Sequence, residues 1–537
     1  MTTHAVPLSD TRPLTLEQKI GQLVMIDFTG LAVPDDVAHS FSTRHWGGVI
    51  LFAKNIERRE QVAALCSALQ AAHDQPEPLF IGIDQEGGIV DRLPFDPLAS
   101  SPGAMALAAA GDVAWARETA RVNGLELASL GINVNFAPCV DVNCNPSNPI
   151  IGVRSYGETA DQVTRFGLEV ARGYRDAGIA PCAKHFPGHG DTSVDSHLAL
   201  PALNEGRERL DAIELAPYRA LIGDGLEMIM SAHIVYPALD GAGLPATLSR
   251  PILTDVLRSE LGFDGVIITD SMSMKAVADN FGVGQAAVMA VQAGADVVLA
   301  CGTREAQEET WQALFAAVRG GVIDEARIDA SVARIRRLKA AWAARGEVAP
   351  PPASTAEGID EVARASTTVV RNDGALPLRP ATRVALVAPA LLPVSQLGEI
   401  GAVFPLSDEL RARDMQVTEH RFSLQEGGVD DGPSICAQAR EADVVVLCLY
   451  ARGRLSPEQA ELTRALLETG RPVVAISLNS PYVLVDVSDV KTYVCTYGYA
   501  RSSVRALADV LCARVAPRGR LPVSLPGLHA RGTGLTF

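Results

Sequence analysis

No stretch of about 18 apolar residues occurs in this sequence, so no membrane-spanning helix is expected. Residues 1–17 show no basic cluster followed by an apolar run, and no secretory leader is read there. A disulfide framework is missing too. The nine cysteines, at positions 66, 139, 144, 182, 301, 436, 448, 495 and 512, are odd in number, scattered, and mostly set in apolar runs. They read as small buried hydrophobes in a reducing compartment, not as a zinc ribbon or a set of staples. Positive charge is also in deficit: 47 Lys+Arg against 63 Asp+Glu leave a net charge of −16. That argues against nucleic acid or an acidic membrane surface as a partner. No fixed short-period repeat and no low-complexity tract breaks the chain. The expected setting is the cytoplasm.

What is present is a chain of 537 residues, 47% apolar and 20% charged. At about 100–200 residues per domain it has room for two to four domains with sizeable cores. Across residues 1–345 one theme repeats: a short apolar run, a loop, then an amphipathic helix. The runs are 23–28, 48–52, 79–84, 132–138, 179–186, 228–233, 265–270 and 295–300, with helical patterns such as 58–73, 113–130, 160–177, 207–223 and 252–261 between them. Continuous apolar runs alternating with helices predict parallel strands covered by helices. Eight such units favour a (β/α)₈ TIM-like barrel over a doubly wound sheet. Three consecutive prolines mark 346–360 as a linker. From 361 to 537 a second set of runs, 384–388, 444–449, 473–478 and 492–496, alternates with helices near 457–468 and 503–516. That predicts a smaller α/β sandwich domain.

A barrel of this kind carries its chemistry just after the C-terminal ends of its strands. The unusual polar residues gather there. Asp84-Gln85-Glu86-Gly87-Gly88 follows the third run, and Asp141 and Asn143 follow the fourth. Lys184 and His185 end the fifth, His233 the sixth, and Asp270 the seventh. Packing alone gives no reason to put charge at five matching strand ends. Asp270 at a strand mouth can attack or stabilise an electrophilic carbon; the bland alternative is a cap for the next helix. In Lys184–His197, His185 and His189 stand four apart, a spacing that suits metal ligation on a helix. Pro187 and Gly188 lie between them, so no metal site is expected. The other reading is acid–base chemistry: Asp195 lies two residues from His197 and can accept the imidazole N–H, fixing its tautomer. Surface-loop histidines remain the alternative.

Taken together, these segments resemble the bacterial β-N-acetylglucosaminidases of glycoside hydrolase family 3. The likeness rests on Ile83-Asp-Gln-Glu-Gly-Gly88, Asn135-Phe-Ala-Pro138, Ile151-Gly-Val-Arg-Ser-Tyr-Gly157, Lys184–His197 and Gly265–Asp270. The resemblance implies a retaining enzyme that needs no cofactor, with Asp270 as nucleophile and His197 as acid/base, polarised by Asp195. It implies that Asp84, Arg92, Arg154, Lys184 and His185 grip the hydroxyls and N-acetyl group of the sugar. The implied substrates are N-acetylglucosamine glycosides such as cell-wall muropeptides. A β-glucosidase or a phosphorylase of the same family, and a catalytically silent sugar-binding protein, are the alternatives. A neutral histidine repels incoming phosphate less than a carboxylate does. Two departures stand out: Ile89 occupies a position where the family commonly carries Arg, and Ser271, not a second acid, follows Asp270.

Overall fold

The computed structural model describes residues 13–73, 75–93, 95, 101–193, 200–344, 348–352, 355–393, 400–402, 404–424 and 432–537. Eight strands open the fold: β1 (Val24–Ile26), β2 (Gly48–Leu51), β3 (Phe80–Ile83), β4 (Val134–Asn135), β5 (Ala180–Phe186), β6 (Met228–Ser231), β7 (Val266–Thr269) and β8 (Val298–Ala300). All are parallel, in the order β7-β6-β5-β4-β3-β2-β1-β8. The ring closes where Val297 N–H donates to Ile267 O and Thr269 N–H to Val297 O, each at 3.0 Å. Every residue of these strands is buried, which is why each reads as an unbroken apolar run and not as an alternation. The helices between them include Arg59–Ala72, Val113–Ser129 and Ala160–Asp176. They turn apolar stripes inward; that of the last buries Val163, Phe166, Val170 and Tyr174. The barrel is the one that eight apolar runs predict.

A helix over Thr355–Ser366 starts within the proline-marked stretch. It leads into β9 (Thr368–Arg371), β10 (Arg383–Pro389), the short antiparallel pair β11 (Leu392–Pro393) and β12 (Ile400–Ala402), then β13 (Gln416–Phe422), β14 (Val444–Leu449), β15 (Val473–Ser477) and β16 (Thr492–Cys495). Six of these form one sheet, β13-β10-β14-β15-β16-β9, parallel except for β9. Successive residues of a strand point to opposite faces. Accordingly Ala385, Val387, Val445 and Leu447 fill one core, while Val384, Leu386, Val444 and Val446 fill the other. Both faces are covered, as expected of an α/β sandwich.

One of those cores is shared with the barrel. Met105, Ala106 and Ala109, from the helix Ala104–Ala110, pack with Val153 into the second domain's cluster. Around them Glu158 accepts from the backbone N–H and hydroxyl of Ser524 at 2.7 and 2.8 Å. Arg531 reaches Gln162 at 2.9 Å, and Asn143 donates to the Tyr482 hydroxyl at 3.0 Å. The second domain is therefore joined to the barrel through the loops after β3 and β4. Among the described residues no helix is long and apolar enough to cross a membrane.

Candidate active site

Asp84 follows β3 directly, Lys184 and His185 lie near the end of β5, and Asp270 follows β7 directly. The thiol of Cys182, on β5, lies within electrostatic reach of Lys184, Asp84 and Asp270 together, so the three share one end of the barrel. Lys184 Nζ donates to Asp84 Oδ1 at 2.5 Å and to Glu86 Oε1 at 2.8 Å. Arg154, on a short turn over Gly152–Arg154, donates to both oxygens of Glu86, at 2.9 and 2.7 Å. Its Nη2 also lies 3.5 Å from His185 Nε2. Four of the expected residues, Asp84, Arg154, Lys184 and His185, thus meet around one carboxylate. Burial alone would push Glu86 up; the paired charges of Arg154 and Lys184 outweigh it and hold Glu86 well below the usual carboxylate range. Likewise burial would lower Lys184, but Asp84 and Glu86 keep its ammonium charged.

Glu86 stands in the quoted strand-end motif, yet its part as the bridge was not legible there. Gly87 and Gly88, which follow it, have φ of 86° and 63°. A Cβ on Gly87 would meet Pro102 O at 2.9 Å, and one on Gly88 would meet Gly103 Cα at 2.8 Å. The paired glycines let this loop turn tightly beneath residues 101–103. Arg92 stands apart: its backbone N–H donates to Gln85 Oε1 at 2.9 Å. Among the described residues its guanidinium makes no hydrogen bond to the other four. Ile89 turns toward the second domain, lining a crevice with Ile150, Val153, Arg452 and Asn479.

Asp141 is the second carboxylate beneath the site and is completely buried. Its Oδ2 accepts from His185 Nδ1 at 2.7 Å and from the Cys139 thiol at 3.2 Å. Its Oδ1 accepts the backbone N–H of His185 at 3.2 Å and of His189 at 2.6 Å. Burial opposes its charge, but His185 and His189 bring it down to about 2. His189 is pushed down to about 4, first by burial and then by His185. The His185 and His189 rings sit edge to face, 5.7 Å apart, joined by an extended loop and not by a helix turn. That loop is pinned by Asn148, which donates to His189 O at 2.8 Å, and by Tyr236, whose hydroxyl donates to Gly188 O. Asp195 and His197, the expected acid/base pair, lie outside the described residues.

Around Asp270, the backbone N–H of Ser271 donates to Oδ1 at 2.7 Å. The helix that follows, Lys275–Phe281, has Met274 at its N-cap and no side chain bonded there, so Asp270 does not cap it. His233 Nε2 donates to Ser271 O at 3.0 Å while its Nδ1 lies 2.8 Å from Thr247 Oγ1. The strand-end histidine of β6 therefore buttresses the residue beside Asp270.

A carboxylate at the mouth of a (β/α)₈ barrel, sharing it with a bed of ammonium, guanidinium and imidazole groups, is the equipment of a glycoside hydrolase. Residues 15–338 match the glycosyl hydrolase family 3 N-terminal domain and residues 367–531 the family 3 C-terminal domain. The chain belongs to glycosyl hydrolase family 3. It is 33% identical to beta-hexosaminidase A of Pseudoalteromonas piscicida, over 96% of this chain and 97% of that one. It is 31% identical to the beta-N-acetylglucosaminidase/beta-glucosidase of Cellulomonas fimi, over 94% and 93%. Among solved structures, a family 3 beta-N-acetylglucosaminidase from Paenibacillus sp. str. FPU-7 superposes with a TM-score of 0.91 at 40% identity, covering 96% of this chain and 99% of that one.

Proposed function

We propose that this chain is a retaining β-N-acetylglucosaminidase that removes terminal non-reducing β-linked N-acetylglucosamine. In this reading Asp270 attacks the anomeric carbon and forms a covalent glycosyl-enzyme intermediate. His197, polarised by Asp195, protonates the leaving oxygen and then activates water. Asp84, Arg92, Arg154, Lys184 and His185 hold the sugar, since fixed guanidinium and ammonium donors orient neutral hydroxyls and carbonyls. The observation that carries the reading is the cluster of Asp84, Lys184, Arg154 and His185 around Glu86, at the same barrel end as Asp270. The names of the Pseudoalteromonas and Paenibacillus proteins support the sugar. Catalysis would lie in residues 1–345, with 346–360 a linker and 361–537 the second domain. Mass spectrometry after trapping with a fluorinated N-acetylglucosaminide tests the proposal. The label is expected on the peptide holding Asp270, and a label on any other residue overturns it.

A second reading adds activity on glucosides, because the Cellulomonas fimi relative is named for both activities. Rates on paired nitrophenyl N-acetylglucosaminide and glucoside decide between them. For the natural substrate we propose cell-wall muropeptide fragments in the cytoplasm, a setting suited to nine free thiols. Cell fractionation and turnover on isolated fragments test this part.

A further inference from the structure

The hydrogen bonds around His185 leave its two ring nitrogens unequal. Nδ1 faces Asp141 Oδ2 at 2.7 Å, and an ionised carboxylate accepts only. Nε2 faces Arg154 Nη2 at 3.5 Å, and a guanidinium donates only. In the neutral ring the proton therefore belongs on Nδ1 and the lone pair on Nε2. His185 is buried, and Asp141 accepts both its backbone N–H and its ring nitrogen, which holds the two side chains together. The same carboxylate anchors His189 and takes the Cys139 thiol. From Asp141 a string of polar contacts then runs through His185, Arg154, Glu86 and Lys184 to Asp84.

We propose that Asp141 is a positioning residue that fixes His185 as a hydrogen-bond acceptor at Nε2, so that the site takes a hydroxyl donor from the sugar there. The contact to Arg154 is long for a hydrogen bond and is the one a hydroxyl replaces. This inference rests on the reading of His185 as a sugar-gripping residue. It adds a polarity: the grip at this point discriminates sugars that keep a donor from those in which fluorine or hydrogen replaces it.

Asp141→Asn is a directed test because the geometry dictates how the amide sits. Oδ1 accepts two backbone N–H groups, so the amide oxygen stays on that side and the NH₂ faces His185 Nδ1. Nδ1 then becomes the acceptor and the proton moves to Nε2. The first measurement uses the unaltered, ligand-free chain: a nitrogen-15 imidazole spectrum, assigned with His185→Gln. We expect His185 with its proton on Nδ1. In the neutral ring, a proton on Nε2 overturns the proposal whether or not the variant folds. This spectrum involves no sugar, so it stands apart from the assignment of the enzyme's substrate.

The second measurement compares kcat/KM for a nitrophenyl N-acetylglucosaminide and its singly deoxygenated or fluorinated analogues. In the unaltered chain replacing one hydroxyl by fluorine should cost about 10- to 100-fold. That cost should shrink in Asp141→Asn, whose Nε2–H can donate to fluorine, while deoxygenation is penalised in both proteins, provided the variant keeps its circular dichroism. The same pattern of penalties in both proteins overturns the proposal. A merely structural Asp141 lowers every rate alike.

Discussion

Lys184 and Glu86 meet at 2.8 Å between the ends of β5 and β3, their side chains only 3% and 6% exposed. Glu86 also takes two guanidinium donors of Arg154, so one carboxylate bridges two cations in a dry place, with Asp84 as the second counter-charge on Lys184. Removing it leaves charge buried without its partner, which costs about 3–5 kcal/mol. Glu86→Ala should lower stability by about that amount, and Glu86→Gln by less, because the amide keeps one acceptor. In both, kcat/KM should fall about 100-fold, since Lys184 and Arg154 lose their common anchor. The acid limb follows from the sign of the shift. Because folding depresses the Glu86 pKa, its contribution is complete above the unfolded value of about 4.3 and is lost as pH falls from there. Urea unfolding at pH 7 and pH 3.5 checks both points: the gap between the unaltered chain and Glu86→Gln should narrow at the lower pH.

Asp270 gives a sharper outcome. Its capping role is excluded by the start of the next helix at Lys275, and its carboxylate stands at the mouth of the barrel. Asp270→Ala should lower kcat by roughly 10⁴- to 10⁶-fold. Azide, small enough to enter the space left by the carboxylate, should restore turnover and give the glycosyl azide of inverted configuration. Turnover by the variant at its original rate would remove Asp270 as nucleophile.

Much of this site is readable one strand end at a time. Asp84, Lys184, His185 and Asp270 are polar residues closing apolar runs, and each strand is buried throughout, so the interruption is plain in the sequence. What cannot be read is who stands beside whom. Glu86 lies in the same motif as Asp84, but its function comes from Arg154 and Lys184, which only the barrel brings to it. Asp141 follows the two-residue strand β4 at some distance, and its role depends on two histidines from the neighbouring strand and loop. In the second domain β13, with the polar edge sequence Gln416–Phe422, carries no apolar run, and β9 is only four residues long. The half-exposed edge strand β13 lacks the signal that buried central strands show, and β9 is too short to give it. The helix Ala104–Ala110 is apolar all round because it fills the seam between domains.

Cys139, Asp141 and His185 bring a thiol, a carboxylate and an imidazole within 4.8 Å of one another, the makings of a metal site by residue type. Their hydrogen bonds argue otherwise. Asp141 uses each oxygen twice, on two backbone N–H groups, an imidazole and the thiol. Burial and the neighbouring Asp141 hold the Cys139 thiol well above its ordinary pKa, hence protonated, whereas a metal takes the thiolate. Dialysis against EDTA should leave kcat/KM unchanged. Loss of activity restored by a stoichiometric divalent ion would contradict this.

At the opposite end of the barrel, Lys339 is fully buried. Its Nζ donates to Gln22 Oε1 and Gly47 O, both at 2.8 Å, and sits 4.8 Å from the centre of the Phe80 ring. Burial lowers its pKa to about 7, outweighing the opposing charge of Glu77. An unfolded lysine titrates near 10.4. Between those values the unfolded chain holds more protons than the folded one, so stability rises with pH across that window. The slope from this one group reaches at most about 1.4 kcal/mol per pH unit. Lys339→Met keeps the length of the side chain and removes the charge, at the cost of two unanswered acceptors. Between pH 7.5 and 9.5 the stability of the unaltered chain should therefore climb relative to Lys339→Met, as followed by urea unfolding at matched ionic strength. Parallel curves for the two proteins would mean that the ammonium stays charged in the folded barrel, held by Gln22, Gly47 and the face of Phe80.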